Sequence, residues 1–444
     1  MAKVNTVQKG KVATHEGGIA QQVSPLLELR RSVLTCLLWE ETFYEKGSDI
    51  AERISELVKL NEPEDVANLA IEARSKMYLR HVPLLLVREL ARKKGNGKLI
   101  ASTLPLIIQR ADELTEFLAI YWKDKRQSLS SGVKRGLAQA FIQFSEYELA
   151  KYNRNEKVKL RDVLFLCHAK PKDEKQANLW IRLIDDKLVI PDTWETELSA
   201  GKDKKATFER LLREKKLGGL ACLRNLRNME EAGVDQKLIE ERLSQGIKRA
   251  LPFRFLVAAT YAPRLEVAIE LAMFKAMEGV EKLSGSTGLL IDISGSMEDP
   301  ISERSETSRW QAAAGLAILL RERCDNVEIA TFSDQVILLP PRRGMALKDA
   351  INQSQGHGGT YLYHALETLH QKAPNWLNLD RMIVITDEQA HDGIYSAWIK
   401  KSYVINVAPY KNGLSYGNGW RHIDGWSERI FDYINLVEQM NVKK

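Results

Sequence analysis

The chain of 444 residues has only four cysteines, Cys36, Cys167, Cys222 and Cys324, and no CxxC pair. That spacing excludes the common zinc-finger patterns and offers no disulfide framework. Isolated thiols among apolar neighbours fit a reducing compartment, so the expected location is cytoplasmic. No apolar run approaches the roughly 18–20 residues that span a bilayer, so no membrane partner is expected. The opening MAKVNTVQKGKVATHEGG is polar and lacks the apolar stretch of a secretory signal. An apolar content of 44% is too high for an intrinsically disordered chain. The length suggests two to three domains.

Charge is uneven along the chain. Residues 1–284 hold 49 Lys/Arg against 40 Asp/Glu, and residues 285–444 hold 16 against 19. A basic front half suits a polyanion partner, and it equally suits a solvated lysine-rich surface. Strand signals are almost missing from that half. Residues 1–25 read as a polar arm, and from 26 to 284 one amphipathic helix follows another. The run LLELRRSVLTCLLWE (26–40), with Leu26, Leu29, Val33 and Leu37 at helical spacing, is typical. Further helices are predicted at 48–60, 63–77, 82–94, 96–109, 111–122, 132–149, 159–167, 206–217, 219–231, 235–247 and 264–280. Paired helices with short turns imply an α-solenoid of HEAT-like type.

The texture changes near Ser284. STGLLIDIS (286–294), NVEIATFSD (326–334), QVILLP (335–340), RMIVITDE (381–388) and KSYVINVAP (401–409) read as strands, alternating with helices and closed by a helix at 427–440. That alternation predicts a doubly wound α/β sheet over 285–444, whose ligands bind beyond the strands' carboxyl ends. Asp292-Ile293-Ser294-Gly295-Ser296 follows the first of these strands. One carboxylate and two hydroxyls at alternate positions can converge on a cation, with Gly295 allowing a tight bend. Thr360, in the loop Gly356-His357-Gly358-Gly359-Thr360, offers a third hydroxyl, and Asp387 a second carboxylate. Hard oxygen donors without thiolate or clustered histidine suit Mg²⁺, with Mn²⁺ as the alternative. With both carboxylates spent on the metal, no nucleophile–base pair remains, so no enzyme is expected. Glu388 reads either as an outer ligand or as a solvent-facing residue.

Asp292, Ser294, Ser296, Thr360 and Asp387 match, in order, the metal-ion-dependent adhesion site (MIDAS) of the von Willebrand factor A fold, which this half resembles. The front half, with LRHVPLLLVREL (79–90), LAKYNRNEKVKLRDVLFLCHAKP (149–171) and LGGLACLRNLRNM (217–229), resembles the TROVE module of the Ro autoantigen family. The resemblance covers about residues 14–440. It implies a ring of HEAT-like helices (26–284) followed by a von Willebrand A domain (285–444), acting as a monomer without enzymatic activity. It also implies binding of small structured noncoding (Y-type) RNA on the ring's basic face. Single-stranded 3′ ends of misfolded RNA would enter its central hole, in noncoding RNA quality control. An exoribonuclease or an RNA-repair enzyme would be the protein partner.

The family's RNA-contacting positions correspond here to Lys151, Arg154 and His168, with Arg154 offset by one residue: Asn155 takes the aligned place. The residues themselves are compatible with RNA. Lys151, Arg154, Lys157, Lys159, Arg161 and Lys170 cluster, opposed in sequence by Glu156 and Asp162; lysine and arginine neutralise phosphates, and His168 and Tyr152 can stack on bases. Lys134 and Arg135 open a helix, where basic residues oppose the dipole and a polyanion would relieve them. Arg224 and Arg227 either face the channel or pair with acidic neighbours. Taken alone, the same residues suit a solvated helical surface. The rival function is a protein-interaction adaptor working through the metal domain. A two-metal nuclease would need more clustered carboxylates.

Overall fold

In a computed structural model the described residues are 11–13, 19–21, 24–35, 47–77, 79–153, 157–247, 250, 252–279, 282–301, 307–408 and 419–424, with parts of 430–438. They form two compact units. One holds the helices from Pro25–Thr35 to Trp194–Ser199; the other holds the helices from Lys204–Arg213 onward together with the sheet. Within the polar arm, β1 (Lys11–Ala13) and β2 (Ile19–Gln21) pair antiparallel.

The first unit is all helical, as its periodicity predicts, around one continuous apolar core that includes Leu86, Leu104, Phe117 and Phe141. The predicted helix 132–149 is two. The first is Ser131–Phe141. The second, Glu146–Tyr152, starts at a capping box in which Ser145 N–H donates to Glu148 Oε2 at 2.9 Å. Gly132 lies inside the first of these helices. A Cβ there would come 2.5 Å from Gly97 O, so glycine is what lets the two backbones meet. The helix Glu174–Ile184, capped by Asp173, was not predicted; its Trp180 packs edge-on to Phe141 at 5.4 Å.

In the second unit, β3 (Leu283–Asp292), β4 (Cys324–Phe332), β5 (Val336–Leu338), β6 (Arg381–Thr386), β7 (Lys401–Asn406) and β8 (Arg421–Asp424) form one sheet. Their order is β5-β4-β3-β6-β7-β8, parallel except for the edge strand β5. This is the expected doubly wound arrangement. Strand β8, the helix Pro252–Tyr261 and the short helix Trp194–Ser199 were not predicted. Described residues 430, 431, 434, 435 and 438 are helical, within the predicted closing helix. The helices before β3 pack with the sheet's own helices: Gly315 lies against Phe253, and Met345 N–H donates to Glu270 Oε1 at 2.8 Å. Among the described residues no helix is long and apolar enough to cross a membrane.

Candidate metal centre and candidate nucleic-acid interface

Asp292 ends β3 and Asp387 follows β6, its parallel neighbour. The chain order reverses at this pair of strands, with β4 on one side of β3 and β6 on the other. The two carboxylates therefore sit where doubly wound sheets open a ligand crevice. Asp292, Ser294 and Asp387 are fully buried, and Thr360 nearly so.

Hydrogen bonds tie three loops together here. Asp292 accepts from Ser294 N–H at 2.9 Å and from the Thr386 hydroxyl at 2.6 Å. The Ser294 and Ser296 hydroxyl oxygens lie 3.4 Å apart. Gly295 N–H donates to Gly358 O at 2.8 Å, joining the first loop to the glycine loop. The glycine loop is pinned to the end of β4, because Gly358 N–H donates to Ser333 Oγ and Gly359 N–H to Asp334 Oδ1, each at 2.8 Å. A Cβ on Gly358 would fall 2.0 Å from Asp334 Oδ2, so this approach requires glycine. Gly295 does not carry the bend expected of it. It lies outside the left-handed region, and a Cβ there would meet only ordinary contacts at 3.5 Å. Its contribution is the N–H. Thr360 is fixed through His391, whose ring Nδ1 accepts from Thr360 N–H at 3.3 Å and whose backbone N–H donates to Thr360 O at 2.9 Å.

Burial, and then the charge of Asp387, push the Asp292 carboxyl up to about 7, against the hydrogen bonds from Ser294 and Thr386. Two buried carboxylates surrounded by hydroxyls are a donor set that fits a hard divalent cation. Among the described residues no group of three or more His, Cys, Asp or Glu side chains gathers into a metal cluster. Only two carboxylates contribute here; the rest of the donor set is hydroxyl.

Thr386, Arg309 and His422 escaped the sequence reading. Thr386 orients Asp292. Arg309, the first residue of the helix Arg309–Arg323, donates from one Nη1 to Ser296 O at 2.9 Å and to Asp387 Oδ2 at 3.4 Å, and is 1% exposed. Glu388 is not solvent-facing. It is buried with a φ of 58°, accepts from Asn406 Nδ2 at 2.7 Å, and meets His422 Nε2 at 2.9 Å. Thr386 is legible from its place beside Asp387; nothing in the sequence points to Arg309 or His422.

The basic segment is built differently. Lys151 is half-buried, and its ammonium lies 3.6 Å from Glu195. Arg161 meets Asp186 at 3.3 Å. The fold thus adds two acids to the segment that the local sequence does not show. Arg110 lies over the Tyr152 ring at 4.6 Å, so one face of that ring already has a cation. His168 caps the helix Leu160–Cys167 in the left-handed conformation, φ 53°, and is exposed, as is Lys170. On the helix Ser131–Phe141, Lys134 is half-buried and Arg135 exposed. Arg154 and Glu156 lie outside the described residues. Arg224 is exposed at a cavity of about 580 Å³ that it shares with Arg227, Arg254, Phe253 and Tyr261. Arg227 takes the acidic-neighbour alternative, donating to Glu231 at 3.0 Å, and its guanidinium lies 5.3 Å from the Tyr261 ring centroid.

Residues 182–278 match the family model of the TROVE domain, and residues 287–389 that of the von Willebrand factor type A domain. The chain carries a TROVE domain and a von Willebrand factor type A domain. A stretch of 90 residues is 37% identical to telomerase protein component 1 of Rattus norvegicus and 38% identical to that of Mus musculus. That stretch is 19% of this chain and 3% of those proteins, so the chain spans only a small part of their length. The crystal structure of the Deinococcus radiodurans RO (RSR) protein superposes with a TM-score of 0.61 at 18% identity. The superposition covers 93% of this chain and 99% of that one. The shared feature is the fold. The von Willebrand match contains Asp292, Ser294, Ser296, Thr360 and Asp387. The TROVE match contains Arg224 and begins beyond Lys134, Arg135, Lys151, Arg154, Arg161, His168 and Lys170.

Proposed function

We propose that this chain is an RNA-binding, Ro-like ribonucleoprotein component. The observation that carries this is the pairing of a TROVE domain with a von Willebrand factor type A domain in a chain that has the Ro fold over 93% of its length. In this reading residues 26–284 form the helical ring and 285–444 the metal-binding domain. Structured Y-type RNA lies along Lys134, Arg135, Lys151, Arg154, Arg161, His168 and Lys170. Exposed cations there neutralise phosphates, and an A-form helix is recognised by shape. A single-stranded 3′ end enters past Arg224, where arginines beside the Phe253 and Tyr261 rings offer phosphate contacts and stacking faces. The cation, Mg²⁺ or Mn²⁺, is held by Asp292, Ser294, Ser296, Thr360 and Asp387, and supplies an electrophilic docking point for a partner's carboxylate. The chain itself performs no bond chemistry. An exoribonuclease or RNA-repair enzyme is the protein partner, and the protein acts as a cytoplasmic monomer.

The test compares a hairpin RNA carrying a single-stranded 3′ tail with the blunt hairpin across a salt series. Tail-dependent binding with a steep negative salt slope is expected. Equal weak binding to both, together with cation-dependent capture of an acidic peptide, would instead favour the adaptor reading. The two buried carboxylates at the ends of β3 and β6 are the observation on that side.

A further inference from the structure

Arg309 has no role in the donor set just described, yet it is the best-buried cation beside it. A guanidinium 1% exposed is costly unless opposite charge meets it. Its position adds to that cost, because it is the first residue of the helix Arg309–Arg323, where a basic side chain opposes the dipole. Two of its contacts lie in the candidate metal site. One Nη1 donates at 2.9 Å to Ser296 O, on the loop that carries the candidate hydroxyls, and at 3.4 Å to Asp387 Oδ2. Asp292, in contrast, accepts its hydrogen bonds from neutral groups, Ser294 N–H and the Thr386 hydroxyl.

We propose that Arg309 is the built-in counter-ion of this site, which neutralises Asp387 when no metal is bound and competes with a divalent cation for that carboxylate. The proposal rests on the metal reading given above and deepens it. With Arg309 in place, its guanidinium offsets negative charge at Asp387. A divalent cation binding there meets a fixed positive charge at close range in a water-poor site, where screening is weak. The consequence is a site that stays folded without metal and binds it weakly, so that occupancy follows the free cation concentration.

The two halves of the proposal have opposite signs in one variant. In the full chain, Arg309→Met removes the competitor and the counter-ion together. Measured by titration calorimetry with Mn²⁺ alone, the variant is expected to bind at least about tenfold tighter than the wild type. After chelation it is expected to melt below the wild type, and saturating Mn²⁺ should raise its melting temperature by more than it raises that of the wild type. Arg309→Lys keeps the charge and should bind Mn²⁺ within about threefold of the wild type, while Asp292→Ala provides the site-dead control. Equal or weaker Mn²⁺ binding by a folded Arg309→Met chain would overturn the competition and make Arg309 a loop brace. If no variant and no wild type takes up Mn²⁺, the metal reading fails, and the metal-free melts alone decide the counter-ion role. A lower melt for Arg309→Met that is recovered by adding Asp387→Asn supports it. An unchanged melt overturns it.

Discussion

At the carboxyl ends of β3 and β6, Asp292, Asp387 and Glu388 are fully buried and Arg309 is 1% exposed, whereas Arg135, His168 and Lys170 in the helical unit stand open to water. Both sets are rich in charge, and all but Arg309 were singled out from sequence. They differ in what holds them. The acidic cluster is placed by sheet topology and locked by backbone N–H groups, so its geometry exists before any ligand arrives. The basic set is carried by helix faces and ends, where Lys151 and Arg161 are held by Glu195 and Asp186 in exposed or half-exposed pairs. Buried charge of the first kind is expensive and specific; exposed charge of the second kind is inexpensive, screened by salt and readily re-paired. Substitutions should therefore act on folding in the sheet and on binding in the helical unit.

The sharpest break of that comparison is another buried charge in the sheet, Arg381. It is fully buried at the start of β6. Its guanidinium donates to Glu438 through both Nε and Nη2, the latter at 2.6 Å, and Lys401 adds a bond to the same carboxylate at 2.7 Å. Arg381→Met leaves Glu438 with Lys401 and the Tyr403 hydroxyl, at 3.4 Å, and should cost about 3 kcal/mol in denaturant unfolding. The pH dependence has a definite sign. Burial pushes the Glu438 carboxyl up, but the bonds from Arg381 and Lys401 prevail and hold it below the usual glutamate value. Its contribution is therefore present above about pH 4.3 and is lost as the pH falls through the lower folded value. The stability gap between wild type and Arg381→Met should narrow below about pH 4. A constant gap down to acid unfolding would assign the loss to packing, with the ion pair contributing nothing.

The same contrast explains what the sequence made legible. The candidate donors could be placed together from sequence because a strand, a short loop and a later strand end position them. Arg309 could not. It arrives from a helix start, and its tie to Ser296 O and Asp387 is a product of the tertiary fold. The helical unit was legible as a class, since residues such as Leu29, Val33, Leu104 and Phe117 recur at helical spacing and are buried. Its breaks were less so. Ser145 sits in an otherwise continuous amphipathic run, and its capping box with Glu148 outweighs the periodicity. Gly132, near the start of the helix Ser131–Phe141, is a contact point for Gly97. The helix Pro252–Tyr261, which was not predicted, starts at Pro252, where the missing N–H costs nothing. The acids opposing Lys151 and Arg161 were missed because Glu195 and Asp186 are distant in sequence.

In the helical unit, His168→Ala with Lys170→Ala removes two exposed side chains. A fluorescence-anisotropy titration should show structured-RNA binding about tenfold weaker, with a salt slope shallower by about one. The melting temperature should not move. A drop in melting temperature with unchanged RNA binding would place His168, in its left-handed cap, among the structural residues.

The smallest expected effect separates surface pairing from RNA contact. The Arg161–Asp186 pair is 36% and 54% exposed, at 3.3 Å, and such pairs contribute at most about 0.5 kcal/mol. Asp186→Asn should therefore leave the melting temperature where it is. It also frees Arg161 from its competitor. If Arg161 contacts phosphate, Asp186→Asn should strengthen binding by about twofold to threefold at low salt, and the gain should vanish as ionic strength rises. Arg161→Ala should weaken binding by a similar factor, and in the double variant the benefit of removing Asp186 should disappear. That non-additivity is the decisive measurement. A gain that survives the loss of Arg161 would mean that Asp186 acts through the general field of the surface, whereas its disappearance would fix Arg161 as the group through which Asp186 opposes RNA.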